Sequence, residues 1–542
     1  MKNKFKFRSH DHVGAADAES DQSFLSKCFI DTGEIDLLLD CNDHRRIVLG
    51  RTGAGKTALL THLSERTNRT INIKPESLAL AYISNSTILQ FVNELGVNLD
   101  TFFKLLWRHV FTVEVIKAHF HLDSAAAKES LVEWIKNHLS EKRRQHEKAL
   151  TYLENWGSKF WEQTDYRIEE LTTKLENELK VSMSSVLAPA RMNLGNAQSL
   201  SQEEKAKVVE RAKYVVNQVQ IQELTNVLEL LDSILDDPQK RYYILIDRLD
   251  ENWVEEGLRY LLIRALVETV RDFRRVRQAK IIIALRYDLL DRVLRLARGA
   301  GFQEEKYESL YVDLSWSREQ LTDLLNTRIN LLIRQQYTSA PVTYQDVLPL
   351  QVNKTPTIDY IIDRTLMRPR DIIMFFNCCI KQAQGNPQIT PQMLKEAEGE
   401  YSRQRLRSLA DEWSADYPYL MSILEILKGR DAQFPLASIP DDEFVELAIN
   451  LMERDDLDEE LGSAIIEIER SPTNTDAMRR YVASTLYRTG LLGLKLEKFE
   501  SVVWSASGRR SISSSEIDPD VKISIHPCFW RSLGINPENG QH

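Results

Sequence analysis

Short continuous apolar runs alternate with long stretches of helical spacing along this chain. The runs are Ile47–Leu49, Tyr242–Ile246, Lys280–Leu285 and Leu310–Leu314, with Thr70–Lys74 as a weaker one. Runs this short, without polar alternation, predict strands buried on both faces of a sheet that helices cover. Between them, Val254 to Val276 places Leu258, Leu261, Leu262, Ala265, Leu266 and Val270 on one helical face, and a further helix runs from Asp288 to Ala297. Strands alternating with helices predict a right-handed, mainly parallel α/β sheet.

Two other patterns extend this core. From about His119 to Asp236 helical spacing dominates, through Ile168, Leu171, Leu175 and Leu179. After a break containing Pro189 and Gly195, Ser201-Gln202-Glu203-Glu204 opens a second helix through Val208, Val215, Val219, Leu224 and Leu228. This reads as a helical hairpin or small bundle inserted in the core, with Trp156, Phe160 and Trp161 in its interior. Downstream, Ser317–Tyr337 is amphipathic, Ile372–Phe376 is apolar, and helix continues to Leu427. Gly429–Asp442, rich in Pro and Asp, reads as a linker or loop. Tyr481–Leu492 reads as a helix broken at Gly493, followed by strand-like pieces Leu494–Leu496, Ser501–Trp504 and Lys522–Ile525. The expected organisation is a core over 1–118 and 237–337, an insertion over 119–236, a helical lid over 338–428 and a winged-helix-like domain over 429–542, the last serving mainly for packing.

Composition narrows the class. The 542 residues suffice for several cores, and 43% hydrophobic with 28% charged content is that of a globular protein. The net charge of −10 opposes broad affinity for polyanions, so any nucleic-acid contact needs a local basic patch. Five cysteines form no C-x-x-C pair, and no apolar run is long enough to span a bilayer, so a reduced cytoplasmic setting without membrane is expected. His526 has no second metal-ligand candidate nearby and reads as structural.

The chemistry concentrates at Gly50-Arg51-Thr52-Gly53-Ala54-Gly55-Lys56-Thr57, which satisfies G-x-x-x-x-G-K-[ST] between a strand and a helix that begins with Ala58 and Leu59. Glycines let the backbone curl so that amides converge on one anion, and the helix N-terminus adds its partial charge. Lys56 is placed for the β- and γ-phosphates of ATP, and Thr57 for Mg2+. Asp247, closing the second apolar run, is the expected partner of the metal. Asp250 or Glu251 is the expected base, with Glu251 favoured. Arg286, closing the third run, is expected to contact the γ-phosphate. Arg368 and Arg370 flank Pro369 at a helix start, and read either as a sensor reaching back to the nucleotide or as a cap with Asp371. Arg298 reads as an arginine finger or as a helix C-terminal charge.

The loop, the segment Ile244–Glu251 and strand-end Arg286 together resemble the STAND and AAA+ branch of P-loop ATPases, and the acidic segment is similar to the NACHT form. Phe29–Glu34, Asn155–Trp161, Arg368–Asp371 and His526–Trp530 further resemble a group of bacterial P-loop ATPases found near mobile and antiphage-defence genes. Arg248 departs from the resemblance where many AAA+ members carry the catalytic glutamate. No repeat array or effector domain follows the core, so the resemblance implies that sensor and output belong to other chains. What it implies is a Mg2+-dependent ATPase switch that forms a homo-oligomer or engages a separate effector protein. The alternative is a DNA-associated ATPase of initiator or loader type.

Overall fold

The computed structural model describes residues 5–77, 89, 91, 94–97, 99–120, 173, 176–184, 201–218, 231–232, 235, 237–251, 253–297, 305–337, 341–497, 499, 501–505 and 512–537. The chain divides into two compact units: Gly33–Arg51 with Lys56–Leu314, and Met1–Thr32 with Thr52–Gly55 and Ser315–His542.

The first unit is built on a parallel sheet. Strands β1 (Ile47–Leu49), β2 (Thr70–Ile73), β3 (Tyr242–Ile246), β4 (Ala279–Leu285) and β5 (Tyr311–Asp313) stand in the order β2-β3-β4-β1-β5. Every residue of β1, β3 and β4 is buried, and apart from Lys280, whose ammonium donates to the Leu37 and Asp40 carbonyls, their sequences run apolar rather than alternating. Register pairs Leu49 with Leu285 and Ile246 with Ile283, so β1 ends level with β4 and β3 two residues before it. Helix Glu256–Asp272 packs against helix Asp100–Phe120, and the Trp107 indole donates to the Leu262 carbonyl at 2.9 Å in the buried interface. Burying a large side chain such as Trp107 or Phe111 stabilises by about 1.5–3 kcal/mol. The predicted insertion lies mostly outside the described residues. Within it the structure describes helix Gln202–Gln218, opened by Ser201 and Glu204 as a reciprocal cap.

The second unit has its own core. Residues 5–32 pack with the C-terminal half, where a buried Asp21–Arg328 ion pair (Oδ2 to Nη2, 2.5 Å) ties the N-terminal segment to helix Arg318–Tyr337. A short hairpin, β6 (Gln351–Val352) and β7 (Thr355–Pro356), precedes helices Thr357–Asp363, Pro369–Gln382 and Pro391–Glu412. The last residues form an antiparallel sheet of β8 (Gln433–Pro435), β9 (Leu492–Lys495), β10 (Val503–Trp504) and β11 (Lys522–Ile525), ordered β10-β9-β11-β8.

Two expectations are corrected here. Gly429–Asp442 is not a linker: Phe434 pairs with Ile523 in the sheet, and its burial outweighs the turn-forming residues around it. The helix expected over Tyr481–Leu492 spans Asp476–Thr489 and ends at Gly490, whose φ of 86° takes the left-handed conformation that closes a helix. Gly493 lies inside β9, where an added Cβ would meet the Trp504 ring at 2.8 Å, so this glycine serves close packing rather than chain termination.

Candidate functional site

At the carboxyl end of β1 the chain turns through Gly50–Gly55 into helix Lys56–Arg66. Gly53 and Gly55 have φ of 79° and 99°, a region costly for any residue with a Cβ. The Lys56 ammonium folds back to donate to the carbonyls of Gly50 and Arg51, both at 3.0 Å. Burial pulls the Lys56 pKa down to about 8, against the opposing pull of Asp247 and Asp250. Thr57 and Ala58 follow in the first helical turn, both partly buried.

The acidic segment leaves the end of β3. Asp247 Oδ1 accepts the Arg248 amide at 2.9 Å, and Arg248 itself sits at φ 59°, a strained position for a non-glycine. Asp250 pairs with Arg286, which follows β4, at 3.2 Å. Asp288 clamps the same guanidinium from the other side, at 3.0 Å to Nε and 2.8 Å to Nη2. Burial opposes the charge on Arg286, but Asp288 and Asp250 together outweigh it and raise its pKa. Glu251 stands apart from this pair. A hydrogen bond with the Glu76 carboxyl, reinforced by burial, lifts its pKa to about 7, and Arg248 Nε approaches it at 3.6 Å. Sheet order explains the grouping: β3, β4 and β1 are neighbours, so the residues that follow them share one edge. Glu76, in the turn Pro75–Ser77 after β2, and Asp288 were not foreseen, because no motif marks them.

Within the second unit, the loop segment Thr52–Gly55 meets the Arg-Pro-Arg corner. Arg368 Nη1 donates to the Thr52 carbonyl at 2.7 Å, the Arg370 amide to the Gly53 carbonyl at 3.4 Å, and the Trp316 indole to the Ala54 carbonyl at 2.8 Å. Each carbonyl from Gly50 to Ala54 thus has a donor. Pro369 opens the helix, where its missing N–H costs nothing, and Met367 at φ 54° turns the chain into it. Arg368 is also bound to Asp371 at 2.9 Å, and no side chain caps the start of this helix. Arg370 is more accessible, its Nε donating to the Ala16 carbonyl at 3.0 Å.

The remaining candidates lie elsewhere. Arg298 and Asn155–Trp161 fall outside the described residues. His526 Nδ1 accepts the Cys528 amide at 3.2 Å, and the ring stands edge-on to Trp504. Among the described residues no cluster of three or more metal-ligating side chains occurs, all five cysteines are buried thiols, and no helix is long and apolar enough to cross a membrane.

Residues 319–410 match the FunZ-associated C-terminal helical domain. Over 536 residues the chain is 22% identical to the transposon gamma-delta 80.3 kDa protein of Escherichia coli (strain K12), covering 96% of this chain and 67% of that relative. A Walker-type ATPase of Pyrococcus abyssi is similar with a TM-score of 0.36 and 11% identity, over 96% of this chain and 98% of that one.

Proposed function

We propose that this chain binds and hydrolyses ATP as a regulatory switch of the STAND and AAA+ kind, engaging a protein partner or further copies of itself in bacterial antiphage defence. The observation that carries the reading is the loop: its carbonyls from Gly50 to Ala54 are each held by a donor, and Lys56 is half-buried near Asp247 and Asp250. With the carbonyls taken by protein donors, the loop amides are left for a phosphate chain.

The residues fit the nucleotide and its metal. The space beside the Gly53 Cα is taken by the Arg370 side chain, which brings a guanidinium to the loop, and the Thr57 hydroxyl and Asp247 carboxylate are the hard oxygen donors that Mg2+ prefers. Magnesium, when bound, neutralises phosphate charge. Lys56 binds the β- and γ-phosphates. Asp250 is committed to Arg286, whereas Glu251 has a proton affinity near neutrality, so Glu251 takes the proton of the attacking water. Arg286, held from two sides by Asp250 and Asp288, is kept in place to contact the terminal phosphate. Arg370 lies against Gly53 on the loop and serves as a second phosphate contact.

The setting rests on the sequence resemblance and on the 22% identity to a transposon protein. The C-terminal helices, read as part of a winged helix, oppose the loader alternative. Exposed Asp441, Asp442, Glu446, Glu459, Glu460 and Glu467 give helices Asp441–Leu451 and Glu459–Arg470 a negative surface that repels phosphate backbones. Calorimetric titration of ATP and Mg2+ into wild type and Lys56→Ala, followed by light scattering with and without ATP, tests the reading. Equal ATP uptake by both proteins overturns it.

A further inference from the structure

We infer that Arg405 is a positioning residue, acting with Glu412 to hold Arg368 and Arg370 at the phosphate loop; the inference rests on the ATP-binding reading above. Arg405 lies in helix Pro391–Glu412, which is capped by the Thr390 side chain. The helix packs on Pro369–Gln382, with Phe375 and Tyr401 stacked at 4.8 Å. Most arginines on such a helix reach solvent, yet the Arg405 side chain is 0% exposed.

Its contacts explain the burial. Nη2 donates to Glu412 Oε2 at 2.8 Å, and Nε stands 3.6 Å from Asp371 Oδ1. Asp371 accepts from Arg368 Nε and from the Leu366 amide. Glu412 Oε1 lies 3.7 Å from Arg368 Nη1 and 3.8 Å from Arg370 Nη1. Both carboxylates are therefore shared between Arg405 and the arginines that face the loop. Sharing is the point of the arrangement. With Arg405 absent, Asp371 and Glu412 would be neutralised by Arg368 and Arg370 alone and would draw them away from the loop. With Arg405 present, the cluster retains an excess positive charge, and Arg370 is its accessible member, 27% exposed against 4% for Arg368.

A buried ionic cluster is poor value for stability compared with apolar packing, which favours a positional role. Arg405 Nε and Nη1 meet no hydrogen-bond partner, a cost that a purely structural helix position would avoid by carrying leucine. The C-terminal segment His526–Trp530, conspicuous in the sequence, has its place here: Cys528 Sγ approaches the Tyr401 hydroxyl at 3.5 Å, and the Ser532 amide donates to Ser402 Oγ at 3.1 Å. That segment covers the face of the helix from which Arg405 projects.

The experiment is titration of the full chain with N-methylanthraniloyl ATP and ADP in the presence of Mg2+, with a thermal melt of each variant. Arg405→Gln leaves each carboxylate another arginine and is expected to weaken ATP about tenfold while ADP changes less than about twofold. Arg405→Lys, which keeps the charge, is expected to restore part of the preference for ATP. Glu412→Gln separates positioning from simple charge. Removing a negative charge tightens ATP if only the field matters, and weakens it if geometry matters; weakening is expected. Equal losses for ATP and ADP, or tighter ATP in Glu412→Gln, overturn the inference. Should Arg405→Gln fail to fold, Glu412→Gln decides alone. A wild-type protein that takes up no ATP overturns the functional reading itself, whereas Lys56-dependent binding with unchanged selectivity in the variants overturns only the role of Arg405.

Discussion

Arg370 rests against the Cα of Gly53: a Cβ added there would stand 2.8 Å from Arg370 Cβ and 2.9 Å from its Cδ. The φ of 79° adds strain for any other residue. Gly53→Ala is therefore expected to let the free loop relax out of this conformation and to weaken ATP binding about tenfold, since restoring the left-handed conformation on binding costs about 1–2 kcal/mol. Titration calorimetry checks this, and unchanged affinity would show that the loop tolerates a side chain facing the arginine.

Lys56 predicts opposite pH trends for binding and for stability. Its pKa, about 8, lies below the ordinary lysine value of 10.5. Below about 8 it is charged, the state in which it would hold phosphate as proposed, so ATP affinity is expected to fall as pH rises through this value. The folded state binds fewer protons than the unfolded state between the two values, so the cost of burying the charge is relieved there and the ligand-free protein is expected to gain stability as pH climbs. Titrations and melts at pH 7 and about 9 read both trends. Lys56→Met is expected to abolish both.

Glu251 must be a carboxylate to accept a proton. With its pKa raised to about 7, turnover is expected to rise with pH through that value. Glu76→Gln removes the carboxyl that raises it, so the acid limb of kcat/KM is expected to move to lower pH. Glu251→Gln is expected to lose turnover by about 10²–10⁴-fold with ATP binding kept. An acid limb unmoved in Glu76→Gln would assign the base elsewhere.

Trp316 supplies the donor to the Ala54 carbonyl. Trp316→Phe keeps an aromatic ring but not the N–H, and is expected to cost about 0.5–1.5 kcal/mol of stability, seen as a lowered Tm. Nucleotide is expected to restore part of it by mass action.

On the proposed reading, the acidic C-terminal helices would make duplex DNA an unfavourable ligand. Fluorescence anisotropy with a labelled duplex at low salt is expected to show weak binding and no stimulation of ATP turnover. Tight, steeply salt-dependent binding would return the loader reading to first place.

The sequence by itself determined the parallel sheet and the phosphate loop. Both are written locally: a strand buried on both faces must be apolar throughout, and a backbone that curls around an anion needs glycine at fixed positions. Tertiary structure alone decided the company these residues keep. Glu76 meets Glu251 because β2 lies beside β3, and Arg286 meets Asp250 because β4 lies beside β3. Arg405, more than thirty residues past Asp371, joins it only because two helices pack face to face. Gly429–Asp442 misled in the same way, since its turn-forming composition gave way to the burial of Phe434 in the sheet. Ion pairs and edge strands depend on distances across the fold, and local spacing carries no measure of those.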